Sequence, residues 1–164
     1  MKLFLKILIL FSVATIIQQT FPSWGIFGGL KPPIFMSIML YASFRLPNKL
    51  AWITSILSSF FYDALEPGPY GPAVLSYPLI TFLILRFRKN LFHEGLITQI
   101  FCGSLSGMIS ICCAIFIYVI TNARPLDFIT LKIIVSIVLG AITFPLCSKF
   151  LLDIIPSQER GGHI

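Results

Sequence analysis

Six apolar stretches, parted by short polar or proline-rich breaks, make up most of the chain: residues 3–21, 33–44, 50–65, 71–85, 95–120 and 128–152. A helix needs about 20 apolar residues to cross the hydrocarbon core of a bilayer. The second and fourth stretches are shorter than that. The second can be extended back toward Trp24 or Ile26, with Trp24 at the headgroup level. The fourth contains Pro78, which removes an intrahelical hydrogen bond and admits a kink or a partly re-entrant path. The pattern predicts six transmembrane helices, with five plus a re-entrant segment as the alternative.

Within the third stretch the four-residue spacing separates two lanes. Ala51, Ser55, Ser59 and Asp63 form a small and polar one, while Trp52, Ile56 and Phe60 form a bulky apolar one. The polar lane is expected to face neighbouring helices and the bulky lane to face lipid or a partner. Asp63 ends the polar lane, inside "SFFYDALEPGPYGP". An ionised Asp at the bilayer centre costs roughly 2.5–3.5 kcal/mol on insertion scales, less toward an interface. The C-terminal pole of its own helix also disfavours a carboxylate. Asp63 therefore needs a partner: the Lys31 or Lys132 ammonium, or backbone N–H groups at the start of the fourth helix. Its expected role is to order the turn that follows.

Small residues mark close helix contacts. Gly103, Gly107, Ser110 and Ala114 recur at helical spacing in the fifth stretch, and Ser136 and Gly140 do so in the sixth. Such pairs let backbones approach, and internal packing is their expected use.

Composition sharpens the class. Hydrophobic residues are 57% and charged residues 11%, with a mean hydropathy of +0.94. A soluble domain carries about 25% charged residues, so this chain has too few to cover a water-facing surface. It reads as an all-α integral membrane protein. Residues 1–155 are expected to form a single transmembrane helical domain, and residues 156–164 a short cytoplasmic tail. The net charge of +6 is not gathered on one face, as nucleic-acid binding would require. With the N-terminus cytoplasmic, Lys2, Lys6, Arg45, Lys49, Arg86, Arg88, Lys89, Lys149 and Arg160 lie inside, against Lys31, Arg124 and Lys132 outside. That bias predicts a multi-pass protein of the inner membrane with both termini in the cytoplasm. The start resembles a secretory signal, with a small-x-small site at Ser12 and Ala14. Its apolar run continues through Ile16 and Ile17, so an uncleaved first helix is the better reading.

Candidate chemistry changes little. Cys102, Cys112, Cys113 and Cys147 lie within apolar runs, outside any metal-ligand spacing, and read as packing residues. His93 and His163 fall in a loop and in the tail. The chain has no HExxH, no GxSxG and no glycine-rich loop ending in Lys-Ser or Lys-Thr. Neither catalysis nor a cofactor nor a metal is expected.

The run "KPPIFMSIMLYASFRLPNKLAWITSILSSFFYDALEPGPYG" resembles the core of the MreD family, bacterial inner-membrane proteins that determine rod shape. The carrying positions are Pro33, Tyr41, Arg45, Asp63, Pro69 and Gly71, followed by the basic "RFRK" after the fourth helix. An acid common after the leading proline is replaced by Ile34, Tyr70 stands for the usual Leu, and Glu66 replaces a small polar residue. The resemblance implies a non-enzymatic membrane subunit of the cell-elongation machinery. It also implies partners: MreC, the MreB filament system, and the membrane glycosyltransferase and transpeptidase of peptidoglycan synthesis. Size and helix number also suit the six-helix substrate-binding subunit of an energy-coupling-factor vitamin importer. Those subunits dock through an Ala-xxx-Ala lane on helix one, whereas here Ala14 is followed by Gln18.

Overall fold

The computed structural model describes residues 2–20, 30–65, 71–88, 95–121 and 129–152. These hold six α-helices: α1 (Lys2–Thr20), α2 (Ile34–Arg45), α3 (Asn48–Leu65), α4 (Pro72–Phe87), α5 (Leu96–Ile120) and α6 (Ile129–Leu152). Each follows one of the apolar stretches closely. Helix α2 does not extend back toward Trp24, because residues 30–33 are non-helical. Pro32 and Pro33 carry no N–H and break the ladder there; Trp24 and Ile26 lie outside the described residues. Helix α4 runs through Pro78 as one helix.

Helices α5 and α6 are each long and apolar enough to cross a membrane, with a mean hydropathy of 2.2. Helix α2 is different. Its 12 residues rise only about 18 Å, and every residue from Phe35 to Ser43 is buried. Helices α1, α3, α4 and α6 all pack against it, so this short helix forms the centre of the bundle. Around it, α3 pairs with α4 and α5 with α6, and α4 meets α5. The core gathers Phe35, Met36, Met39 and Leu40 of α2 with Phe11, Tyr77, Ile80 and Phe144 from its neighbours.

Polar groups inside this core are mostly hydroxyls. Ser37 and Ser43 each donate 2.9 Å bonds to carbonyls one turn back, Pro33 O and Met39 O. Ser37 also lies 3.4 Å from Thr143 on α6, and Ser43 lies 3.3 Å from Thr81 on α4. A hydroxyl buried without a partner costs free energy, so these links hold the central helix in register with its neighbours.

The α5–α6 seam is built on glycine. A Cβ on Gly103 would overlap the Gly140 carbonyl, one on Gly107 the Ser136 carbonyl, and one on Gly140 the Gly103 carbonyl. Ser136 Oγ donates a 3.0 Å bond to Gly107 O across the seam. The stripe thus packs internally as expected, although Ser110 and Ala114 are only half-buried. The cysteines are free thiols; Cys102 and Cys113 are buried and Cys147 is half-buried. Cys112 faces outward, contrary to the packing role expected of all four.

At the end of the bundle opposite Asp63, Arg88 ties α4 to the α2–α3 connection. Its guanidinium donates to Leu46 O at 2.9 Å and to Asn48 Oδ1 at 2.7 Å. Arg88→Lys keeps the charge but cannot reproduce this fork. It should lower thermal stability in detergent by about 1–2 kcal/mol. An unchanged melting curve would show that the clamp carries no weight.

Candidate functional site

Among the described residues, the buried carboxylate is Asp63, at the end of α3. The lane predicted to face inward does so: Ala51, Ser55 and Ser59 are fully buried, and Asp63 is 7% exposed. The opposite lane faces out, with Ile56 and Phe60 exposed and Trp52 half-buried.

Asp63 spends both carboxylate oxygens on the start of α4. Oδ2 accepts from Gly71 N and Val74 N, and Oδ1 from Ala73 N, each at 3.0 Å. Gly71 is the N-cap of α4 and Pro72 occupies its first turn. Proline has no N–H, and the first helical bond runs from Leu75 N to Gly71 O at 3.0 Å. Every backbone N–H that the start of α4 leaves unpaired therefore ends on one side chain. Helix N-termini are usually capped by their own N-cap residue; here the cap arrives from the preceding helix.

This geometry resolves the electrostatic problem posed by the sequence. The negative pole of α3 opposes the carboxylate, but the positive pole of α4 and three N–H groups favour it. The partner is the α4 backbone rather than Lys31 or Lys132.

Gly71 completes the turn through its backbone. Its φ of 127° and ψ of −20° lie where side chains are strained. A Cβ there would meet the Ile117 side chain only at 3.7 Å, so the dihedral and not space demands glycine. Pro69 lies outside the described residues.

A second cap of the same kind was not legible beforehand. Gln18, 3% exposed near the end of α1, accepts from Phe35 N at 3.1 Å in the first turn of α2. Gln19 Nε2 donates to Leu65 O at 3.2 Å, closing a carbonyl at the end of α3. The signal was present as two glutamines ending an apolar run, ahead of a proline-led helix. Both short helices thus begin at proline and are capped by the helix before them.

The other candidates fall elsewhere. Tyr41 is buried on α2, with the Arg45 guanidinium carbon 5.6 Å from its ring centroid. This cation–π contact sits at the opposite end of the bundle from Asp63. Gly103 and Gly107 belong to the α5–α6 seam. Among the described residues no three His, Cys, Asp or Glu side chains come together. The site is a device for fixing helix α4 relative to α3.

The family model described as rod shape-determining protein MreD matches residues 1–152, a span that holds all six helices. Among curated proteins and solved structures, none matches the chain.

Proposed function

The chain belongs to the MreD family of rod shape-determining membrane proteins, and from that premise we propose that it is a non-enzymatic subunit of the cell-elongation machinery. In this role it binds MreC and helps couple MreB filaments to the glycosyltransferase and transpeptidase that insert peptidoglycan. The observation that carries the reading is the family match across the whole helical bundle. The compact architecture supports it. Only Leu46 and Pro47 separate α2 from α3, so contact within the bilayer is the natural means of action. The clustered cations support an inner-membrane orientation with both termini cytoplasmic.

An importer subunit would leave a docking lane open on its first helix. Here Ala14 and Gln18 are 2% and 3% exposed, and Gln18 is engaged with α2. That disfavours the transport reading.

Co-expression followed by detergent purification should recover an MreC-like protein bound to this chain. Recovery of the chain alone, with a stoichiometric bound vitamin, would overturn the proposal in favour of import.

A further inference from the structure

A narrow crevice, with room for little more than one small polar group, opens between α1, α2 and α3, lined by Thr15, Gln18, Gln19, Phe35, Tyr62 and Leu65. The α2 cap sets its chemistry. Phe35 N–H requires an acceptor, so Gln18 Oε1 faces it, and the planar amide then turns Nε2 away from that N–H. Gln18 is 3% exposed, yet among the described residues its –NH₂ meets no acceptor. Of the neighbouring donors, Thr15 is spent on Phe11 O and Gln19 gives one of its two N–H groups to Leu65 O. The crevice therefore offers unspent amide donors between apolar walls. It asks for a hydrogen-bond acceptor carried on a hydrocarbon body.

We propose that this crevice binds a membrane phospholipid, with the Gln18 amide donating to an acyl ester carbonyl. Gln18 stands two residues from the end of α1, about 3 Å along the axis, and a helix of 19 residues that spans the hydrocarbon core ends near the lipid esters. Below it, Val13, Ile16 and Ile17 of α1 and Phe61 of α3 are exposed and apolar, a surface suited to an acyl chain. A ladder carbonyl of a partner helix keeps a lone pair for a second bond, as Gly107 O shows with Ser136, but it comes without the acyl chain that this exposed flank of α1 and α3 suits. Every diacyl lipid brings a free carbonyl at this depth.

Gln18→Glu separates the cap from the ligand. It keeps an oxygen facing Phe35 N–H, favoured at a helix N-terminus, and removes the –NH₂ donors. Protein purified from vesicles of diester phosphatidylglycerol should carry one retained lipid by native mass spectrometry. Occupancy should fall about tenfold, a step of about 1.4 kcal/mol, in the Gln18→Glu protein. The same fall is expected for wild type purified from the diether analogue, which has the same headgroup and no carbonyl. Equal retention of diester and diether lipid overturns the proposal, as does equal retention by the variant or a copurifying protein in place of lipid. Should Gln18→Glu fail to fold, the diester–diether comparison on wild type decides alone.

Discussion

Replacing Asp63 with leucine is expected to deplete the membrane of folded protein. The substitution leaves the N–H groups of Gly71, Ala73 and Val74 without the oxygens that now accept them. A buried donor left without a partner costs about 1–3 kcal/mol. Water reaching the interface would recover part of that, so a loss on the order of 3–5 kcal/mol is expected. This is a large share of the 5–15 kcal/mol that typically separates folded from unfolded protein. Asp63→Asn should fall between wild type and leucine, because one oxygen remains and the new –NH₂ group faces donors. The measurement is folded yield and thermal unfolding in detergent for all three proteins. If the leucine variant matches wild type, the cap is not what holds α4 in place.

The second large effect is expected at the α5–α6 seam. Gly103→Ala adds one methyl group, but that group would overlap the Gly140 carbonyl, a backbone atom that cannot rotate aside. The helices must then separate, which also weakens the Ser136–Gly107 bond and the packing of Phe144. Overpacking costs about 1–3 kcal/mol, occasionally more. Gly103→Ala should sit near the top of that range, and Gly107→Leu should go beyond it and lower the amount of folded protein. Met108→Leu is the control, since Met108 is exposed one residue away and should melt like wild type. A Gly103→Ala protein as stable as the control would show that the seam tolerates separation.

Much of the bundle was legible because membrane helices obey strong local rules. Backbone groups in hydrocarbon must pair within their own segment, so each apolar run becomes a helix with nearly the bounds its hydropathy marks. The inward lane of α3 followed from spacing alone, as did the contrast between Ser59 and Phe60. Gly103 and Gly107 were legible as a packing stripe for the same reason. The family core was legible too, since Asp63 and Gly71 lie on one short segment.

What spacing cannot convey is which polar group meets which. Asp63 had three candidate partners in the sequence, and only the α3–α4 turn selected the backbone over the lysines. Gln18 looked like an ordinary helix-end residue until α2 was placed against α1. The Arg88 clamp joins positions some 40 residues apart. Nor did the short second stretch announce itself as the buried centre, because its apolar composition matches that of a lipid-facing helix.

The chain alone therefore determined the class, the helices and the faces of α3, since hydrophobic transfer and backbone pairing act locally along a segment. Tertiary structure decided the placement of α2 and the side-chain ties that bind helix ends together. Those depend on donors and acceptors meeting at about 3 Å, a condition that only the packed bundle can meet.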